Sequence, residues 1–323
     1  MTGGEAEKKL RVGPVYVVRQ VPIDRRGAMM AAPFARKLST LMLRSWSRFS
    51  LFCALSLCSA LGTLTAIAST PSSALSSVFL EDWTSPELRE RIATGTTTVL
   101  IPIGGTEQNG PHMVLGKHNV RVRLLSEQIA RALGKTVVAP VVAYVPEGTA
   151  HPPVAHMRFS GTLTIPDAVF EALIESTARS LKQHGLRDIV LLGDHGGYQK
   201  NLVRVANKLN REWARDPTAR VHALTEYYQA TQTDFVQTLK ARGYSAAEIG
   251  THAGLADTSL AMAVDPMLVR ADRLTDAKGF SAADGTYGDP RRSNVEAGRV
   301  GVQQIIDASV KAIRHALQKR ANE

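Results

Sequence analysis

Carboxylates and imidazoles gather in three glycine-rich stretches of this chain. The first, GGTEQNGPHMVLGKH, carries Glu107, Asn109, His112 and His118; the second, GDHGGYQKN, carries Asp194 and His195; the third, THAGLADTS, carries His252 and Asp257. Side chains of these types, brought together, suit a hard-to-borderline divalent cation or an acid–base pair. The glycines beside them (Gly104, Gly105, Gly110, Gly196 and Gly197) permit sharp turns that let side chains from separate strands converge. Each residue also has a plainer role. A lone loop histidine is more often a hydrogen-bonding or surface residue, which is the reading for His151, His184, His222 and His315. Asp194 is equally well placed to cap the helix that follows it. Three such stretches together resist that explanation, and by residue type alone they indicate a metal or acid–base site.

The elements that must position them follow from periodicity. Residues 98–103 (TVLIPI) form the short, continuous apolar run of a strand buried on both faces. Residues 119–133 have helical spacing, with Val122, Leu125, Ile129 and Leu133 on one side and Arg121, Glu127, Gln128 and Arg131 on the other. Beyond Gly134 the pattern predicts a strand over 136–144. An amphipathic helix over 166–184 is opened by Pro166 and Asp167 and closed by Gly185. Then come a strand over 188–192 (DIVLL), a helix to about Arg215 and a strand over 221–224. Helical segments follow Ala230 and surround Ser259, and a terminal helix covers 294–321. Such alternation predicts an α/β fold with a largely parallel sheet covered on both faces, in which ligands bind beyond the carboxyl ends of the strands. The polar stretches fall at those ends.

The formal charge of +10 suggests nucleic acid until it is mapped. Residues 1–68 carry a net +7, and the other 255 residues hold 29 basic against 26 acidic groups. The body of the chain therefore has no nucleic-acid footprint. Arg44 and Arg48 precede an apolar run from Phe49 to Ala68, Ala66-Ile67-Ala68 offers a peptidase its small residues, and a Ser/Pro-rich stretch follows. This is the pattern of a cleavable signal over 42–68, with a membrane anchor as the alternative. The expected organisation is a linker at 69–78 and one catalytic domain at 79–323. Residues 1–41 are either an artefact of the assigned start or an unstructured extension. The expected location is periplasmic or secreted, with no membrane attachment after cleavage. Both cysteines, Cys53 and Cys58, lie in the leader, so the mature protein has no thiol chemistry.

The polar stretches resemble the creatininase (creatinine amidohydrolase) family. Gly104-Gly105-Thr106-Glu107-Gln108 with Gly110-Pro111-His112 resembles its opening signature, and 193–197 its glycine-flanked metal histidine. Residues 156–162 (HMRFSGT) resemble its His-x-x-Phe-Pro-Gly-Thr segment with Ser160 in place of proline. His252-Ala253-Gly254 with Asp257-Thr258-Ser259 resembles its His-Ala-Gly segment ending in Glu-Thr-Ser, and Gly288-Asp289-Pro290 also fits. The resemblance runs from about Phe79 to the end. It implies a three-layer α/β/α sandwich with a mostly parallel sheet, a homo-oligomer, and metal-dependent hydrolysis of a non-peptide C–N bond in a cyclic amide, formamide or small amide.

The chain also departs from that pattern. Asn109 stands where the family has a second histidine, His118 where it has a bridging aspartate, and Gly197 where creatinine-cleaving members have a glutamate. The expectation is therefore one metal, zinc, held by Glu107, His118 and His195, with Asp257 as fourth ligand or as a partner orienting a ligand. The resemblance makes His252 the acid–base residue, and Asn109, His112, His156 and Asp194 candidates to line or support the pocket. A metal-dependent esterase or lactonase, or a non-catalytic periplasmic binding protein on the same scaffold, are the alternatives.

Overall fold

The computed structural model describes residues 77–216, 218–275 and 279–321. The expected signal over 42–68, the stretch before it and most of the expected linker lie outside the described residues. No helix among the described residues is long and apolar enough to cross a membrane.

The first helix, α1 (Ser85–Ala93), starts at Thr84, whose side chain and backbone N–H both engage the Glu87 carboxylate. It leads into β1 (Thr98–Ile103), buried at every position. Helix α2 (Lys117–Leu133) crosses to β2 (Thr136–Val138), α3 (Asp167–Gln183) to β3 (Asp188–Gly193), and α4 (Gln199–Glu212) to β4 (Arg220–Ala223). All pairings are parallel, in the order β2-β1-β3-β4. Strand β2 ends six residues earlier than its apolar run predicts because Pro140 has no N–H to give the ladder. The chain nevertheless stays beside β1: Val142 donates to the Pro102 carbonyl and accepts from the Gly104 N–H, both at 2.9 Å.

Alternate strand residues go to opposite faces. Leu100, Val138, Val190 and Leu192 pack with Val122, Leu125 and Ile129 of α2. Val99, Ile101, Ile103, Ile189 and Leu191 pack with Phe170, Ile174 and Ala178 of α3 and Leu202, Val205 and Leu209 of α4. Helices therefore cover both faces of the sheet, which is an α/β/α sandwich. After β4 come α5 (Thr225–Gln232), α6 (Asp234–Ala241), the single turn α7 (Ala246–Ile249), α8 (Leu255–Val264) and the terminal α9 (Val295–Ala321). Helix α9 closes the α2 face through Ile305, Ile306 and Ile313.

Candidate metal centre and active site

Where β1 ends, Gly104 and Gly105 turn the chain toward Glu107, which is wholly buried. The segment after β2 brings Glu147 to the same point, where its N–H donates to Thr164 Oγ1. Gly105 has φ +150°, and a Cβ there would lie 2.8 Å from Glu147 Oε1, so a side chain at 105 would displace this carboxylate. From the other side the Tyr198 hydroxyl accepts from the Asp194 and His195 N–H groups at 3.1 Å. It donates toward the Ile103 and Gly104 carbonyls at 2.8 and 2.7 Å. One phenol thus fastens the exit of β3, carrying His195, to the exit of β1, carrying Glu107.

These exits and the turn at Ala155–Arg158 face a common point. His156 Nε2 and His195 Nε2 lie 3.4 and 3.5 Å from Glu107 Oε2, and His195 Nδ1 lies 3.7 Å from Glu147 Oε2. Glu107, Glu147, His156 and His195 each offer a ligating atom within 4.8 Å of the others. Glu107 Oε2 and both Glu147 oxygens are buried with no hydrogen-bond partner. Buried carboxylate oxygens left without donors carry a large desolvation cost, met at Glu107 only on Oε1, by His118. Burial and the Glu107 charge accordingly push Glu147 up to about 9, so that it holds a proton where a cation would serve. Orphaned carboxylate oxygens beside two imidazoles are a donor set that a divalent ion such as zinc fits.

His118 and Asp257, expected as ligands, are engaged elsewhere. His118 Nδ1 lies 2.6 Å from Asp194 Oδ2 and its Nε2 2.7 Å from Glu107 Oε1. Burial and Lys117 oppose its charge, but the two carboxylates outweigh them and raise it, so both ring nitrogens act as donors. Arg121, placed by the helical pattern on the polar side of α2, is buried instead. It reaches Asp194 through Nε at 3.0 Å and Asp257 through Nη1 at 2.8 Å. Asp257 also pairs with the buried Lys117 and accepts from the Ala253 N–H at 3.1 Å. Asp194 caps no helix: it accepts from His118, Arg121 and, at 2.7 Å, the Tyr227 hydroxyl.

Beside the donor cluster is a chamber of about 160 Å³, walled by His156, His195, His252, Asp257, Tyr228 and Thr251 among others. His252 Nε2 lies 3.0 Å from the Gln108 carbonyl, and burial together with Lys117 pushes it down to about 3. It therefore rests as a neutral imidazole, and a proton placed on it is readily given away. The Gln108 amide nitrogen lies 2.9 Å from His156 Nδ1, while its backbone carbonyl accepts from His252 Nε2, so this one residue joins the two rings. His112 and Asn109 stand behind the site. His112 contacts Thr258 Oγ1 at 2.9 Å and the edge of Phe280, while Asn109 Nδ2 donates to the Glu107 and Val114 carbonyls. The sequence alone gives no role to Glu147, Lys117, Gln108 or Tyr228. Glu147 had a usable signal, since it ends the apolar run 137–145 as the other site residues end theirs.

A family model described as creatinine amidohydrolase matches residues 81–313. The chain belongs to the creatininase family and is an amidohydrolase. It is 24% identical over 254 residues to the creatinine amidohydrolase of Pseudomonas putida, covering 74% of this chain and 96% of that protein. It is 26% identical over 205 residues to the 3-dehydro-scyllo-inosose hydrolase of Thermotoga maritima, covering 63% and 62%. A solved structure of a mutant creatininase in a zinc–zinc form superposes with a TM-score of 0.62 at 26% identity, covering 74% of this chain and 98% of that one.

Proposed function

We propose that this chain hydrolyses a non-peptide C–N bond in a cyclic amide, a formamide or another small amide, using one divalent metal, zinc, held by Glu107, Glu147, His156 and His195. The observation that carries the reading is the set of three unpartnered, buried carboxylate oxygens facing two imidazoles. When bound, such an ion acidifies a water and polarises a carbonyl. The protein's own part is to hold the substrate and move a proton. His252, hydrogen-bonded to the loop that carries Glu107, passes the proton released as water attacks on to the departing nitrogen. The chamber limits what can react. At about 160 Å³ it matches a cavity that admits a benzene-sized ring, which favours a small amide head over a folded peptide.

Metal analysis of the purified mature protein should find about one equivalent of zinc per chain, and chelation should abolish hydrolysis of a small-amide panel. A metal-free active protein, or chelator-sensitive activity confined to esters and lactones, contradicts the proposal. Two tightly held equivalents contradict the single-metal part alone. Export belongs to the same proposal. Amino-terminal sequencing of secreted material should begin near Ser69, and recovery of the intact apolar run in membranes would make it an anchor.

A further inference from the structure

Two consecutive tyrosines on α5 do different things. Tyr227 is buried, and its hydroxyl donates to Asp194. Tyr228, about a hundred degrees further round the helix, faces the chamber. Among the described residues its hydroxyl meets no hydrogen-bond partner, and Thr231 Oγ1 donates to its backbone carbonyl at 2.7 Å. The phenol lies over Gly196, the residue after His195: a Cβ at 196 would fall 2.6 Å from the Tyr228 oxygen and 3.0 Å from Cζ. The missing side chain at 196 therefore makes the space that brings this hydroxyl beside the donor cluster. Burial and the Asp257 charge raise the phenol, which keeps its proton.

An unspent O–H in a small chamber, next to the ligating histidine, is a donor without an acceptor. The charged side chains and the buried amide around it already have partners. Lys117 and Arg121 pair with Asp257, His118 lies between two carboxylates, and Gln108 holds His156 through its amide and His252 through its carbonyl. We propose that Tyr228 is a catalytic residue whose hydroxyl donates a hydrogen bond to the carbonyl oxygen of the scissile amide, strengthening as negative charge builds on that oxygen. This rests on the amidohydrolase reading above. No bond to the phenol forms or breaks, and its proton stays on it throughout.

The test uses zinc-loaded, full-length protein and a panel of formamide, acetamide, hydantoin and creatinine. Tyr228→Phe keeps the ring over Gly196 and removes only the hydroxyl. It should lower kcat about a hundredfold on whichever amide is cleaved, the usual effect of losing one such donor, with KM within about threefold and zinc content and melting temperature unchanged. Gly196→Ala should lower kcat by pushing the phenol aside, yet add no further loss in the Tyr228→Phe background. An unchanged kcat in Tyr228→Phe overturns the proposal, as does a rise in KM alone, which would mark Tyr228 as a packing surface for substrate. Fully additive losses in the double variant also overturn it. If the unaltered protein cleaves no amide in a chelator-sensitive way, the amidohydrolase reading fails first and this proposal with it.

Discussion

Glu147→Gln should abolish tight zinc binding and, in metal-free protein, raise the melting temperature. The two effects come from one carboxylate. Without a cation, Glu147 is buried against Glu107 with neither oxygen satisfied, and it is held protonated up to about 9. Its ordinary value near 4.5 applies in the unfolded chain, so the folded state binds the extra proton between those limits. This group's contribution is complete below the unfolded value and is lost as pH rises toward about 9, so metal-free protein should weaken across that window. A neutral amide of the same shape removes both the slope and the repulsion. Zinc in hundredfold excess over its dissociation constant stabilises the unaltered protein by about 2.7 kcal/mol. For a domain of this size that is roughly 5–11 °C. Thermal melts with and without zinc, near pH 6 and near pH 8.5, should show that gain in the unaltered protein and none in the variant. A variant that keeps the zinc-dependent gain would remove Glu147 from the metal centre.

That residue marks the limit of what the sequence disclosed. Strand β1 and helices α2, α3 and α9 were legible because a sandwich leaves its period in the chain: unbroken apolar runs where a strand is covered on both faces, and a 3.6-residue stripe where a helix is covered on one. The approximate location of the site was legible too, because polar residues at strand ends have few other reasons to cluster. How the side chains are shared out within the site was not. His118 and His195 look alike as letters, yet one lies between two carboxylates and the other faces an open point, which depends on side-chain directions that no spacing encodes. Arg121 shows the failure most plainly. A helical wheel puts it with the solvated residues of α2, but α8 supplies a second buried face on that side, and Asp257 from α8 receives it. Glu147 escaped notice because no histidine or glycine-rich signature accompanies it, and Tyr228 because a tyrosine on a short helix has packing as its ordinary explanation.

Arg121→Met should then be among the most destabilising single changes in the described domain. Among the described residues the guanidinium is the one side chain that bridges Asp194 and Asp257, with Nε and Nη2 on the first and Nη1 on the second. Removing it strands the buried Asp194 and the half-buried Asp257, each keeping a partial compensation: His118 and Tyr227 for Asp194, and Lys117 for Asp257. Breaking a buried pair from one side costs about 3–5 kcal/mol, because the charge left behind has already lost its water. At this chain length that lowers the melting temperature by roughly 6–20 °C. Arg121→Lys should recover little, since a compact ammonium cannot span two carboxylates that a planar fork reaches together. The informative partner is Asp194→Asn in the Arg121→Met background. It removes the stranded charge, so the double variant should melt higher than Arg121→Met alone, although each single change is harmful. The same pair has a readout at the active site. Asp194 holds His118, and His118 holds Glu107, so Arg121→Met should also weaken zinc binding without touching a ligand. A melting temperature unchanged by Arg121→Met would mean that water already reaches these carboxylates, and the buried network would then have no part in holding the site.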